Sequence, residues 1–503
     1  MDAPSENYTG SITSDTAEHG GSQPSTINKG TSFQTQKAFT TLSAVGTGYG
    51  ATNTAVGLLL VLGSTVPMGG SPLFFWGFIL LIVVAWATAS SLAELASAMP
   101  HPGGQYIWVN QLAPPSIRRG LSYSTAMISW LGAVATGASA CLSASVGIFG
   151  VVSFLNPDFV YRRWMGFVAF QILNLVTMFC SFFEQALPKI SKALLFVSVA
   201  SAAVVFVTLF ATSRQHASPE TFLITISNTS GWQDGIAFLT GLSGINWSLC
   251  CLDLVTHLAE EIPSPSTNIP RALMWSIVVG FISGILVITS VFVNVPVVNA
   301  DDDNSALILF YKISGSKAVA VGIWIPILVA IVGALWSIQV WQSRLSWAIS
   351  RERGFPLHRY LGRIAPEPFS TPVWSLVWSA AFSAAFGCLY LASELAFNSL
   401  ISTGLLLQYI SYSTPVVLLL VQGRSTFRHG PFWYPRLGLM ANLIMLGWTV
   451  VAIVFYCFPY QIPAEAEKMN YVSAVLIVVA FFICTIWFTF GRRNYQVNYF
   501  LRK

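Results

Sequence analysis

The sequence predicts an all-α integral membrane protein of about twelve transmembrane helices, built as a five-plus-five inverted repeat followed by two extra helices. Three observations carry that expectation. The 503 residues are 54% hydrophobic and only 9% charged, with a mean hydropathy of +0.64, whereas a soluble domain carries about 25% charged residues. Apolar runs close to the roughly 20 residues needed to cross the hydrocarbon core recur from Phe39 to Phe490. Two of these runs are interrupted by glycines, and they lie five apart in the order of spans.

Read between polar breaks, the runs place spans near 40–65, 72–98, 122–154, 164–184, 192–212, 235–259, 272–297, 318–349, 372–392, 397–421, 437–458 and 471–490. The twelve-helix domain is 39–492, with repeat one at 39–212, repeat two at 235–421 and the extra helices at 437–490. Residues 1–38 are rich in Ser, Thr and Gly and lack the basic-then-apolar pattern of a signal peptide, so they read as a disordered tail. Residues 491–503 form a short basic tail. With both termini inside, nineteen of the 25 Lys and Arg residues fall on the cytoplasmic side, as the positive-inside rule asks. That orientation puts Asp301, Asp302, Asp303 and the sequon Asn228-Thr229-Ser230 outside, where Asn228 is a glycosylation candidate. The net charge of +5 belongs to the inner loops and implies no nucleic acid. All seven cysteines lie within apolar runs, where they act as small hydrophobes. No metal spacing, disulfide framework or cofactor motif is visible.

The first interrupted span contains Gly46-Thr47-Gly48-Tyr49-Gly50, and the sixth contains Gly241-Leu242-Ser243-Gly244-Ile245-Asn246, followed by Trp247. The third and eighth runs, also five apart, are unusually long. Matched broken helices mark a solute site at the membrane midplane, because unwinding frees backbone groups that an ordinary helix bonds to itself. Freed amides attract a carboxylate and freed carbonyls an amine. The alternative is that these glycines serve helix packing.

Ionisable side chains within spans are expensive and mark function by default. Asp253, His257 and Glu261 follow one another at i, i+4 and i+8, with Glu260 adjacent, so they share roughly one helix face. For Asp253 and His257 the readings are a proton-coupling pair or a static contact. Glu260 and Glu261, just before Pro263, read as an inner gate or as partners of Arg271. Glu94, at the end of the second span, is a further coupling or gate candidate.

Three segments then resemble a known family. Ser91-Leu92-Ala93-Glu94-Leu95-Ala96-Ser97-Ala98-Met99-Pro100 runs on to Gly103-Gly104-Gln105-Tyr106-Ile107-Trp108. Leu252-Asp253 and Thr256-His257-Leu258-Ala259-Glu260-Glu261-Ile262-Pro263 are followed by Pro270-Arg271-Ala272. Ser343-Arg344-Leu345, Trp347-Ala348 and Ser350-Arg351-Glu352-Arg353-Gly354-Phe355-Pro356 close the eighth span. Together they are similar to the amino acid–polyamine–organocation permeases, in the fungal branch that carries amino acids, GABA or choline. The resemblance covers about residues 35–495. It implies a LeuT-type fold, alternating access and symport with a proton, most simply at the plasma membrane, with a vacuolar or other internal membrane as the alternative. By position it implies that Gly46, Thr47 and Gly48, with Tyr49, receive a carboxylate, and that Gly244, Ile245 and Asn246, with Trp247, receive an amine. Two departures stand out: Leu249 and Cys251 occupy positions where the branch usually shows an aromatic residue and a glycine. Some relatives titrate a lysine in the middle of the fifth helix, whereas here Lys189 and Lys192 sit at its inner end and its centre offers Ser198 and Ser201.

The expected function is therefore a secondary transporter importing an amino acid or a related amine such as GABA, with choline or another organocation as the alternative. Choline has no carboxylate and would call for an aromatic cage, to which Tyr49, Trp130 and Trp247 are the candidates. A nutrient receptor that has lost transport is the alternative of another class. An enzyme is not expected, since no HExxH or paired-aspartate motif occurs. A channel would need a ring of pore-lining charges.

Overall fold

A computed structural model describes residues 39–295, 303–392, 394–464 and 469–497. The expectations for residues 1–38, Asp301 and Asp302 lie outside these. Among the described residues every regular element is helical, apart from one bridge pairing Met68 with Asn228. Eleven helices among the described residues are long and apolar enough to cross a bilayer. The remaining crossing is the first span, which is broken into Thr41–Thr52, Thr54–Leu60 and Leu62–Thr65.

Local signals account for several ends. Thr40 opens the first span with a capping box, its hydroxyl accepting from Ser43 N while the Ser43 side chain accepts from Thr40 N. The second span is Gly70–Ala98, and a short helix, Gln105–Leu112, precedes the third, Arg118–Leu155. The fourth is Arg163–Cys180 and the fifth Leu187–Thr212. The sixth divides into Asp234–Trp247 and a tight turn of helix at Leu252–Leu258. The seventh, Pro265–Phe292, starts seven residues before the expected 272. Its first turns (Ser266, Thr267, Asn268) are polar and escape a hydropathy reading, but Pro265 at the first helical turn presets the backbone for a helix. The eighth to twelfth are Lys317–Arg351, Val373–Gly387, Glu394–Gln422, Pro435–Phe455 and Val472–Ile486.

The matched pairs survive in three dimensions: the first and sixth spans are the interrupted ones, and the third and eighth are the longest, with 38 and 35 residues. At 1.5 Å per residue the third runs about 57 Å, nearly twice the hydrocarbon thickness, so it must tilt or protrude. Of these eleven the sixth span is the most enclosed, 72% buried over its apolar window, and the twelfth the least, 17%, while in the broken first span every residue from 43 to 59 is buried. The broken helices therefore sit at the centre, while the last span turns side chains such as Ile477 and Phe481 outward to lipid.

Candidate functional site

The first break lies beyond the glycine run, which corrects the expected position. Gly46 through Gly50 are helical, and the chain leaves the helix at Asn53, at φ 39° and ψ 57°. Asn is among the few L residues that tolerate this left-handed conformation. Its side chain holds the break in place, with Nδ2 donating to Ala330 O of the eighth span (3.2 Å) and Oδ1 accepting from Ser198 Oγ of the fifth. In the sixth span the helix likewise runs through Gly241–Asn246 and ends at Trp247. The unwound stretch is Ser248–Cys251, with Cys251 at φ 64°. A cysteine there costs about 1–2 kcal/mol that a glycine would avoid, which is the physical content of its departure from the family pattern.

The glycines thus serve close approach of helices. A Cβ on Gly46 would stand 2.8 Å from Ser191 O, and one on Gly48 would stand 2.7 Å from Val255 Cγ2; one on Gly244 would strike Thr65. Thr47 donates to Ser43 O and lies 3.0 Å from Ser191 Oγ, Tyr49 pairs with Ser283 Oγ at 2.8 Å, and Ile245 packs beside Gly77.

Two small cavities flank the breaks. One, about 20 Å³, is lined by Asn53, Thr136, Trp247, Cys250, Ile331 and Ile338, among others. The second, about 10 Å³, lies between the sixth and tenth spans, with Asn246, Cys250, Gln408 and Tyr412 in its wall. Each has room for about one water molecule, so the spans must separate before a solute enters. Of the eight expected binding residues, Asn246 and Trp247 line these cavities and the other six do not. The expected aromatic cage does not assemble. Trp247 faces the first cavity and donates to Ser139 Oγ, but Tyr49 is engaged with the seventh span, and Trp130 bonds Ser379 Oγ amid Phe355, Trp378 and Phe382.

Below the sixth-span break, Asp253 and His257 are fully buried and in contact, with Nε2 2.9 Å from Oδ2. Asp253 also accepts from Gln105 Nε2 (2.8 Å) and Tyr412 OH (2.7 Å), while His257 Nδ1 meets Pro102 O at 2.7 Å. Gly104, at φ 51°, lets the loop pass the imidazole: a Cβ there would lie 2.9 Å from His257 Cε1. Gln408 completes the cluster, accepting from Cys251 N (3.0 Å) and donating to Thr136 Oγ1 (2.7 Å). Neither Gln105 nor the tenth-span pair Gln408 and Tyr412 was identified from the sequence, because uncharged polar residues within apolar runs carry no spacing signature.

The glutamates pair with the eighth span and not with Arg271. Glu261 meets Arg344 at 2.6 Å with both side chains largely enclosed, and Glu260 meets Arg351 at 2.9 Å at a more exposed position. Glu94 belongs to a separate contact, 2.9 Å from Arg424, whose guanidinium also lies over Trp433. Asn228 is half-buried; its amide nitrogen donates to Trp232 O and Asp234 Oδ1, while its oxygen accepts from Ser230.

Comparison with known proteins shows what this arrangement is similar to. The family described as amino acid permease matches residues 35–482. The chain is 62% identical to the transmembrane transporter swnT of Metarhizium robertsii, over 92% of this chain and 93% of that protein. It is 60% identical to the swainsonine transporter swnT of Arthroderma benhamiae, with the same coverage of each chain. It is 33% identical to the choline transporter of Saccharomyces cerevisiae, over 92% of this chain and 83% of that protein.

Proposed function

The chain belongs to the amino acid permease family and is a multi-pass membrane transporter rather than an enzyme, and from that premise we propose that it carries a small hydroxylated amine lacking a carboxylate, swainsonine being the first candidate. The observation that carries this reading is the 60% identity, over nearly the whole chain, to a relative named as a swainsonine transporter. Swainsonine and choline share a basic or quaternary nitrogen and hydroxyl groups, and neither has a carboxylate. The first cavity fits that chemistry. No Lys or Arg lines it, so a carboxylate would find no cationic partner, whereas the Trp247 indole and the hydroxyl of Thr136 suit a cation bearing hydroxyls. This moves the substrate away from the amino acid or GABA expected from the sequence and toward its organocation alternative.

In this reading the transporter works by alternating access as a symporter, moving the amine inward across the plasma membrane with a proton carried at Asp253 and His257. The Glu261–Arg344 and Glu260–Arg351 pairs close the inner side. Uptake of labelled swainsonine, choline, GABA and a set of amino acids by transport-deficient cells is the test. The expected result is swainsonine or choline uptake that Trp247→Ala reduces at least tenfold. Uptake of amino acids alone would refute the substrate class, and substrate-induced signalling without any uptake would favour the receptor alternative.

A further inference from the structure

A backbone carbonyl can only accept, so His257 Nδ1, 2.7 Å from Pro102 O, carries a hydrogen. Its Nε2 lies 2.9 Å from Asp253 Oδ2. A bare ring nitrogen against a bare carboxylate would set two acceptors in contact, so a second proton lies on that line. The pair is either imidazolium with carboxylate or imidazole with carboxylic acid. In both forms it is neutral overall and holds one exchangeable proton, shut away from water because both side chains are fully enclosed.

The tenth span reaches this proton from the cavity side. Tyr412 OH lies 2.7 Å from Asp253 Oδ1 and 3.1 Å from Gln408 Oε1, but it has one hydrogen to donate. Cys251 N–H donates to Gln408 Oε1, which fixes the amide's orientation and aims Nε2 at Thr136 Oγ1. Thr136 passes its own hydrogen to Gly132 O and lines the first cavity. Polar contacts therefore lead from the cavity wall to the shared proton, with the single Tyr412 hydrogen completing the link on either the Asp253 or the Gln408 side.

We propose that Gln408 and Tyr412 couple solute occupancy to that proton, with Tyr412 as a positioning residue whose hydroxyl moves between Asp253 and Gln408. A solute that takes the Cys251 N–H frees the Gln408 oxygen, and one that displaces Thr136 releases the Gln408 nitrogen and lets the amide turn, so that the oxygen takes the Tyr412 hydrogen. Asp253 then loses a donor to its carboxylate and holds the shared proton more tightly; departure of the solute reverses the exchange. No bond other than hydrogen bonds is made or broken, and the proton stays between Nε2 and Oδ2 until the inner side opens. The titratable neighbours are Tyr412, the Cys250 and Cys251 thiols and the His101 imidazole. From the spans packed against this turn, Tyr49 is held by Ser283, Glu94 by Arg424, Arg344 by Glu261 and Arg351 by Glu260, while the seventh brings Arg271 at its start.

The inference rests on the proton-coupled reading above, and its test separates the two. Full-length protein in nanodiscs, labelled with ¹⁵N at histidine, is titrated with the His257 signal assigned by its loss in His257→Gln. Tyr412→Phe keeps the ring and removes the hydroxyl. It should raise the pH at which the pair releases its proton by about one unit, a tenfold change in proton affinity. Saturating swainsonine, or choline if swainsonine is not carried, should raise the midpoint in wild type and leave it unmoved in Gln408→Ala. In proteoliposomes, Tyr412→Phe should shift the pH profile of accumulation by the same amount while solute exchange continues. An unchanged midpoint in Tyr412→Phe overturns the positioning role without any transport measurement. An equal solute-induced shift in wild type and Gln408→Ala overturns the coupling. If neither solute is carried, the substrate reading fails and the solute-free titration still decides the role of Tyr412.

Discussion

Replacing Glu261 by Gln should release the inner closure, and the structure sets the size of the effect. Glu261 and Arg344 join the sixth and eighth spans at 2.6 Å, with side chains 16% and 8% exposed. Removing one partner of a buried ion pair costs about 3–5 kcal/mol, because the other charge stays enclosed without that carboxylate. Partial exposure of Glu261 favours the lower figure, about 3 kcal/mol. When the spans separate, Arg344 is hydrated and the penalty vanishes, so it falls on the closed state alone. At about 1.4 kcal/mol per factor of ten, the closed-to-open ratio drops roughly a hundredfold. The more exposed Glu260–Arg351 pair is worth about 1 kcal/mol or less, so Glu260→Gln should shift the ratio fivefold at most. Cys250 lines both cavities and reports opening. Its alkylation by a membrane-impermeant maleimide in inside-out vesicles should accelerate in Glu261→Gln and return to normal when Glu261→Arg is combined with Arg344→Glu. The readout is the Cys250 peptide by mass spectrometry, which separates it from Cys180, Cys388 and Cys484 on the outer surface of the helices. An unchanged Cys250 rate, or one equal to that of Glu260→Gln, would refute the gate.

Cys250 and Cys251 place their sulfurs 3.4 Å apart at the unwound stretch, so phenylarsine oxide should bridge them, forming two S–As bonds and releasing water. Uptake should stop, recover with a dithiol but not a monothiol, and become resistant in Cys251→Ser; inhibition that persists in that variant would place the reagent elsewhere. His101, in the loop after the second span, is held neutral: burial is the main cause, with the Arg351 guanidinium and then the neighbouring His257 ring adding to it, and its pKa falls to about 3. Unfolding lets it take a proton, so its contribution makes stability fall as pH drops below about 6.5, and His101→Gln should flatten that slope in thermal melts while leaving the pH profile of transport in place. A slope unchanged by the substitution would mean that other groups set it. For orientation, a cysteine at position 10 should resist impermeant reagents in intact cells, whereas one at position 303 should react, and the reverse pattern would invert the topology.

The sequence alone was enough for everything that depends on local sums. Hydropathy over about twenty residues locates spans because the bilayer core is a uniform apolar solvent, and the pairing of spans one with six and three with eight follows from the same reading. Residues with a chemical signature were also legible: Asp253 and His257 stood out because charge inside a span is rare, and one helical turn between them made contact predictable. Tertiary structure decided the rest. Glycine permits both unwinding and close packing, so Gly46, Gly48 and Gly244 could not be assigned until Ser191, Val255 and Thr65 were seen against them. The breaks fell instead at Asn53 and Ser248–Cys251, where partners on the fifth, eighth and tenth spans hold the unwound chain. Gln105 and Tyr412 reach Asp253 across 148 and 159 residues of chain. Such partners are chosen by how whole helices pack, which no periodicity within a single span encodes.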